Sequence, residues 1–112
     1  MRGIKFRAWD IVDNKMMLEN NFWLYRNFEF ARKSKKLSLM QYTGLKDKNG
    51  VEIYEGDIVD SRLFGICEVK YYLNAFVLWA SDGSNSRDAS YLHETCEVIG
   101  NIHENKELLE VE

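Results

Sequence analysis

Apolar and polar residues alternate over most of this chain, and that alternation predicts β-strands. The first segment would place apolar side chains on one face and two cations with a tryptophan on the other, with Ile4, Phe6 and Ala8 opposed to Lys5, Arg7 and Trp9. A period of two predicts a half-buried strand. Residues 10–15 contain Asp13 and Asn14, which favour a turn, so we expect a turn there and a second strand from residue 16 that completes a hairpin.

The middle of the chain, residues 22–36, fits two different periods. Phe22 and Leu24 belong to a local alternation that favours a strand, whereas Trp23, Tyr25 and Phe30 would also fit one stripe of a helix. We favour the strand. A further strand is predicted over residues 39–45, where the alternation resumes.

Two turn signals follow that strand. Asn49 and Gly50 tolerate positive φ and are flanked by apolar residues, so we predict a two-residue hairpin turn or a close relative of it, with Gly50 at positive φ. Residues 55–57, Glu-Gly-Asp, predict a second sharp turn into the next strand. The tetrapeptide Gly-Asp-Ile-Val at residues 56–59 resembles the start of small SH3-like barrels.

The second half of the chain continues the strand pattern. Cys67, Val69, Tyr71 and Leu73 share one face of a predicted strand, a turn is expected at residues 74–75, and strands are expected over residues 76–80 and 97–102. Residues 81–86 read as an exposed loop, and Asn105 is placed to cap a short terminal helix. Because no strand–helix alternation is present, we predict a mainly β protein with a small SH3-like barrel in the C-terminal half, an N-terminal β-hairpin region and little helix.

Composition indicates one folded domain of 112 residues, since 46% of the residues are hydrophobic and 29% are charged. The N-terminus lacks the apolar core of a secretory signal, and the longest apolar run, residues 75–80, is too short for a membrane-spanning helix. We therefore expect a soluble protein of the cytoplasm. In that compartment Cys67 and Cys96 are interpreted as reduced core residues.

Catalytic and metal-binding patterns are not recognisable in the sequence. The candidate soft or imidazole metal ligands are Cys67, His93, Cys96 and His103, and their spacing matches no zinc pattern. Neither a nucleophile elbow nor a phosphate-binding loop occurs. Three carboxylates surround Gly56, and we interpret them as solvated turn residues: Glu52, Glu55 and Asp57. We predict no enzymatic activity, no metal and no other cofactor, with an enzyme that uses an unrecognised site as the last alternative.

Charge is distributed unevenly along the chain, although the formal net charge is only −3. Residues 22–40 carry five basic side chains and one acidic side chain, a net of +4, and residues 88–112 carry seven acidic and one basic, a net of −6. The candidate contact residues for a partner or for nucleic acid are Tyr25, Arg26, Phe28, Arg32, Lys33, Lys35 and Lys36. Basic residues between aromatic rings suit single-stranded nucleic acid, opposite patches on one chain suit self-assembly, and a solvated lysine loop beside buried rings is the simplest interpretation.

Three collinear stretches identify the chain better than any chemical motif. They are Met-Arg-Gly-Ile-Lys-Phe-Arg-Ala-Trp-Asp at residues 1–10, Leu-Met-Gln-Tyr-Thr-Gly-Leu-Lys-Asp-Lys-Asn-Gly-Val-Glu-Ile-Tyr-Glu-Gly-Asp-Ile-Val at residues 39–59, and Glu-Val-Ile-Gly-Asn-Ile-His-Glu-Asn at residues 97–105, followed by Glu-Leu-Leu at 107–109. Together these stretches resemble the YopX family. The resemblance implies one small, mostly β domain over residues 1–112, divided into an N-terminal β region (1–45), a barrel-like region (46–103) and a C-terminal tail (104–112).

The same resemblance implies a protein of bacteriophages and prophages that has no established activity and tends to self-associate. We therefore predict a phage or prophage accessory protein of the host bacterial cytoplasm that acts as a self-assembling interaction module. Its expected partners are a second copy of itself and a host or phage protein, and no binding to a membrane is expected. A nucleic-acid-binding module that uses the basic and aromatic segment 22–40 is the alternative.

Sheet edges give a further reason to expect self-assembly. The chain has no proline, which removes one common means of blocking exposed edges. A partner chain could cover such an edge, and charged residues such as Lys70 and Arg87 could equally protect it.

Charge reversal tests whether the basic segment steers assembly. Replacing Lys33, Lys35 and Lys36 together with Glu should weaken association at low salt, and should have less effect at high salt, where screening already operates. Light scattering at both salt concentrations measures this. Equal masses for the variant and the wild-type chain at low salt would contradict electrostatic steering.

Overall fold

A computed structural model describes residues 5–18, 37–61, 65–80, 86–88 and 93–109. The strands in these ranges are β1 (Phe6–Asp10), β2 (Lys15–Leu18), β3 (Leu37–Lys46), β4 (Glu52–Tyr54), β5 (Asp57–Ser61), β6 (Gly65–Tyr72), β7 (Ala75–Ala80), β8 (Ser86–Asp88) and β9 (Cys96–Asn101). Helix in the same ranges is limited to two short 3-10 segments, His93–Thr95 and Lys106–Leu109. The prediction of a mainly β protein with little helix is confirmed.

The strands form two sheets. One has four strands in the order β2-β1-β3-β4, and the other has five in the order β8-β7-β6-β5-β9. The chain divides into two compact units, Met1–Tyr42 and Thr43–Glu112, and β3 continues across their boundary. The subdivision predicted from the sequence, with boundaries after residues 45 and 103, stays a prediction.

In the first unit the predicted hairpin is present. β1 pairs antiparallel with β2, and the turn between them is closed by the Asp10 carboxylate, whose Oδ1 accepts the N–H groups of Val12 and Asp13 at 3.0 Å each. The half-buried pattern is wrong at Trp9, which is only 8% exposed although it was predicted to lie on the open face. Ala8, on the opposite face, is also buried, so both faces of β1 are covered near its end and the alternation does not mark an open face there.

In the second unit the core follows the predicted period of two. Inward-facing residues of the five-stranded sheet form one buried cluster together with Ile53 of β4; its sheet members are Val59, Cys67, Val69, Leu78 and Cys96. Leu45, Phe76 and Val98 pack against it. The prediction that both cysteines are core residues is confirmed, because both are free and buried.

The two cysteines lie on strands that flank β5. Cys67 of β6 is opposite Val59, and Cys96 of β9 is opposite Ser61. Two strand spacings separate them, about 10 Å, which exceeds the Cα separation that a disulfide allows. Both thiols therefore act as small apolar side chains of the core.

The Asn49–Gly50 hairpin signal is confirmed, with a loop of three residues. Gly50 has φ of 81° and its N–H donates to the Asp47 carbonyl at 3.0 Å, while the Asp47 N–H donates to the Val51 carbonyl at 2.8 Å. Asn49 keeps negative φ, so the loop Lys48–Gly50 is a type I turn followed by a left-handed glycine, a close relative of the two-residue turn.

The sequence pattern placed the turn between β6 and β7 one residue too late. It lies at Leu73 and Asn74, with φ of 51° and 65°, and Tyr72 pairs with Ala75 directly across it. Positive φ at both central residues defines a type I′ turn, which matches the twist of the paired strands. Leu73, predicted to lie in the strand, is therefore a turn residue.

The last strand and the short terminal helix are both present, the latter as the 3-10 segment Lys106–Leu109, whose Leu108 N–H donates to the Asn105 carbonyl at 2.9 Å. The Asn105 side chain differs from its predicted capping role, because its Oδ1 accepts the N–H of Asn101 at 3.2 Å. Gly100 makes room for this contact, since a Cβ at that position would lie 2.6 Å from the Asn105 Oδ1. Asn105 thus closes the turn after β9 by reaching back to the strand.

A valine at position 50 tests the left-handed turn. No atom lies within 4 Å of the position that a Cβ would take at Gly50, so Gly50→Val adds backbone strain without a clash. We expect the free energy of unfolding to fall by about 1 kcal/mol or more. Gly50→Asn is the control, because Asn tolerates this region and should cost less. A denaturation midpoint for Gly50→Val equal to that of the wild-type chain would contradict the assignment.

Candidate interaction surface

The contact residues predicted from the sequence lie outside the described residues. All seven fall between residues 19 and 36: Tyr25, Arg26, Phe28, Arg32, Lys33, Lys35 and Lys36. The strand proposed for residues 22–36 also lies outside the described residues. The same holds for residues 81–85 of the loop expected at 81–86, whereas Ser86 is the first residue of β8. These hypotheses stay predictions.

Three of the four candidate metal ligands have described side chains, and the side chain of His93 lies outside the described part of the structure. Cys67 and Cys96 are enclosed in the core, whereas the half-buried His103 lies in the turn after β9, where its backbone N–H donates to Asn101 Oδ1 at 3.0 Å. Burial, together with the charge of Asp47, raises the pKa of the Cys96 thiol to about 11. Among the residues described, no three His, Cys, Asp or Glu side chains form a group that could hold a metal ion.

All three carboxylates around Gly56 had been interpreted as solvated, and this interpretation is wrong for one of them. Asp57 is 1% exposed, and its Oδ2 accepts the N–H of Tyr54 at 2.8 Å, which closes the turn between β4 and β5. Glu52 and Glu55 are half-buried. The expectation was wrong at Asp57 because that carboxylate stabilises the turn instead of facing water.

A polar cleft of about 410 Å³ lies beside the β3–β4 loop. Its lining includes three carboxylates, one ammonium group and one hydroxyl, from Asp60, Glu94, Glu97, Lys48 and Thr95. Lys48 Nζ lies 4.0 Å from a Glu97 oxygen. Small-molecule sites are usually lined by apolar and aromatic side chains. These five residues supply none, so the cleft carries no ligand assignment.

The same loop contains a buried carboxylate that the sequence analysis did not select. Asp47 is 6% exposed, and its Oδ1 accepts the N–H groups of Asn49 at 2.8 Å and Val51 at 2.9 Å. Its Oδ2 accepts the N–H of Val98, in β9, at 2.8 Å. One side chain therefore closes the β3–β4 loop and attaches it to the outer edge of β9. We call these three hydrogen bonds the Asp47 junction.

Backbone atoms extend the Asp47 junction along β9. The Lys48 N–H donates to the Cys96 carbonyl at 3.1 Å, next to the bond from Val98. Because β9 is an edge strand of its sheet, these bonds satisfy main-chain groups that would otherwise be open to another strand. A loop of the same chain therefore protects this edge without proline.

The pKa of Asp47 is lowered by its surroundings. Burial by itself would raise the pKa, but hydrogen bonds from the N–H groups of Val98, Val51 and Asn49, with a smaller effect of the Lys48 charge, outweigh burial. The carboxylate is thus held in its charged form. A sequence signal was available, since Asp is favoured at the first position of a type I turn.

The tip of the β6–β7 hairpin, residues 71–76, presents large apolar and aromatic side chains to solvent. Leu73 is 79% exposed, Tyr71 is 51% exposed and Tyr72 is 47% exposed. The Tyr71 ring packs edge-on against Phe76 with centroids 5.0 Å apart, which fixes its orientation. We call residues 71–76 the hairpin tip.

The other face of the same hairpin is held by a second aromatic contact. Tyr72 meets Trp79 edge-on at 5.3 Å, and Lys70 Nζ lies 4.9 Å from the centre of the Trp79 ring. Burial raises the pKa of Glu68. The charge of Lys70 acts in the opposite direction, and the charge of Glu55 adds to the increase. Among the described side chains, Glu68 and Glu55 therefore offset the positive charge of Lys70.

Two antiparallel sheets and an exposed aromatic hairpin define a small β protein with a candidate protein-contact surface. The chain belongs to the YopX family, whose family model, described as YopX protein, matches residues 5–110. None of the curated proteins compared with the chain matches it. No helix in the described ranges has the length and apolar character needed to cross a membrane.

Two solved structures are similar to this chain. The crystal structure of protein EF1440 from Enterococcus faecalis has 27% sequence identity and a TM-score of 0.65, with 98% of this chain and 100% of that chain covered. The crystal structure of protein yopX from Bacillus subtilis has 22% identity and a TM-score of 0.60, with 95% and 98% covered. These likenesses support the fold.

Removing the Asp47 carboxylate tests its importance. Asp47→Ala should lower the free energy of unfolding by about 2 kcal/mol or more at neutral pH, because three N–H groups lose their acceptor. Since folding lowers the pKa, the stabilisation is complete above the ordinary value of 3.8 and is lost as the pH falls through the lowered value. The stability gap between the wild-type chain and Asp47→Ala should therefore narrow in acid.

Urea denaturation over a series of pH values measures this gap. Asp13→Ala is the matched control, because Asp13 is an exposed carboxylate in the β1–β2 turn and its removal should change stability little. A gap between the wild-type chain and Asp47→Ala that stays constant down to strongly acidic pH would show that the ionised carboxylate contributes nothing.

Proposed function

We propose that this protein is an interaction module that assembles with a second copy of itself, with the hairpin tip as the anchor of the contact. Leu73 is the observation that carries the proposal. Its side chain is 79% exposed and its backbone has φ of 51°. Each of these features is unfavourable for the isolated chain, and both occur at one residue.

The energetic argument compares Leu73 with the residues that suit its position. A left-handed backbone costs a residue with a branched apolar side chain about 1–2 kcal/mol, whereas Gly and Asn adopt it more readily. The first central position of a type I′ turn is usually Asn, Asp or Gly. Neither the turn nor the core of the second unit needs a leucine here. A contact outside the chain would use the exposed side chain.

The two tyrosines suit the same purpose. Tyr71 and Tyr72 carry large, stiff rings that bury much area at little entropic cost, and both are oriented by neighbouring aromatic rings. Most oligomers of soluble proteins are homo-oligomers, and a two-fold contact brings the same surface of two copies together. The hairpin tip is small, so it would serve as the centre of a larger interface.

Charge supports a second copy as the occupant. Residues 22–40 carry a net of +4 and residues 88–112 carry a net of −6, so opposite segments of two copies would attract each other. The covered edge of β9 removes the need for strand pairing at that edge, and this favours a contact through side chains of the hairpin tip. Additional host or phage proteins are proposed partners of the same surface.

Finer features of the fold belong to the same proposal. The strands β5 to β8 follow one another as neighbours, and β9 returns beside β5 directly after the 3-10 segment His93–Thr95. This order supports an SH3-like barrel in the second unit. The family resemblance supports a phage or prophage accessory role in the host bacterial cytoplasm.

Nucleic-acid binding and catalysis are the alternatives. The nucleic-acid hypothesis depends on residues 22–40, of which only 37–40 are described, so no observed geometry favours it. The metal and nucleophile candidates that the structure describes are separated or buried, and we propose that the protein is not an enzyme. Binding of nucleic acid would reveal itself by an affinity that falls steeply with salt.

Replacing Leu73 with Asn separates association from stability. Asn suits the left-handed position, so Leu73→Asn should leave the free energy of unfolding unchanged or raise it by up to about 1 kcal/mol. The same change should convert the oligomer to a monomer, because the apolar anchor is lost. Light scattering at micromolar concentration gives the mass, and thermal denaturation gives the stability.

Leu18→Asn is the matched control. Leu18 is 54% exposed at the end of β2, so this variant removes a similar apolar side chain from another part of the surface and should keep the wild-type mass. A wild-type chain that is monomeric at micromolar concentration would contradict self-assembly. An oligomer that persists in Leu73→Asn would exclude the hairpin tip as the anchor.

A further inference from the structure

The β3–β4 loop contains the chain's one Asn-Gly dipeptide, Asn49–Gly50, and both residues are exposed. Glycine has no side chain to hinder its nitrogen, so this nitrogen reaches the side-chain carbonyl of a preceding asparagine more easily than that of any other residue. We propose that Asn49 is a site of spontaneous deamidation and that the Asp47 junction controls its rate.

The reaction uses only the chain and water. The Gly50 nitrogen attacks Asn49 Cγ, a new C–N bond closes a five-membered imide, and Nδ2 leaves as ammonia with the proton from the Gly50 nitrogen. Water then opens the imide at one of its two carbonyl carbons. Opening gives aspartate or isoaspartate at position 49, and no oxidant or reductant takes part.

The folded loop restrains this attack. The Gly50 N–H donates to the Asp47 carbonyl at 3.0 Å, so the nitrogen is engaged in a hydrogen bond. On either side, the N–H groups of Asn49 and Val51 are held by Asp47 Oδ1 at 2.8 and 2.9 Å. The nitrogen reacts only when these bonds open, so the rate depends on local opening of the loop.

Deamidation changes the contacts that the loop makes. Asn49 Nδ2 donates to Glu97 Oε2 at 3.4 Å, and conversion to aspartate replaces this donor with a second carboxylate facing Glu97. Isoaspartate also adds one carbon to the main chain of a three-residue loop, which displaces Val51 from Asp47. Both products weaken the cover over the outer edge of β9, so the modification links the age of the chain to exposure of that edge.

Peptide mapping by mass spectrometry, with separation of aspartate from isoaspartate, tests the proposal on the full chain at neutral pH. Asn49 should be converted before the described asparagines that precede larger residues, which are Asn14, Asn74, Asn101 and Asn105. The folded chain should react several-fold more slowly than the chain unfolded in urea. Asp47→Ala should react several-fold faster than the folded wild-type chain.

Gly50→Ala is the control, because an added methyl group hinders the nitrogen and should slow the reaction in urea as well. If Asp47→Ala does not fold, the comparison of the folded and urea-unfolded wild-type chains decides whether the loop is protective. Conversion of another described asparagine while Asn49 stays intact would contradict the assignment of Asn49 as the deamidation site. Equal deamidation rates for Asn49 in the folded and unfolded chain would contradict the proposal that the Asp47 junction controls the rate.

Discussion

The charged carboxylate of Asp47 connects parts of the chain that are distant in sequence. One oxygen closes the β3–β4 loop through Asn49 and Val51, and the other binds the main chain of β9 at Val98. Burial disfavours the charge of this carboxylate, but the three N–H groups that it accepts favour the ionised form and lower its pKa. Loop geometry, edge protection and the predicted loss of stability in acid thus share one physical cause.

Because the β3–β4 loop covers the outer edge of β9, that edge is not available for pairing with another strand. A chain without proline might have been expected to pair its open strands with another copy, but the outer edge of β9 is covered from within at Lys48 and Asp47. The β6–β7 tip carries three exposed apolar or aromatic side chains, and there Leu73 combines the greatest exposure of any large hydrophobic residue described with a left-handed backbone. Such a combination brings no benefit to the isolated fold, and it is the basis of the proposed interaction role.

Sequence patterns predicted the local features and missed the long-range ones. The period of two placed Cys67 in the core, and the Asn-Gly signal gave positive φ at Gly50, because both depend on neighbours along the chain. The contact between Asp47 and Val98 spans 51 positions and leaves no periodic trace. Leu73 was assigned to a strand because an apolar residue continued the alternation, whereas the hairpin register moved the turn onto it. The contact residues predicted between 22 and 36 lie outside the described part of the chain.

Native-state amide hydrogen exchange tests the central claim about Asp47 most directly. The amides of Asn49, Val51 and Val98 all donate to one carboxylate, so at neutral pH they should be protected and should exchange with the same free energy of opening. Val98 is the decisive amide, because it lies in another strand and its bond to Asp47 faces the outer edge of the sheet. An amide at Val98 that exchanges as fast as one in an exposed loop, or with an opening energy clearly different from that of Val51, would contradict the account.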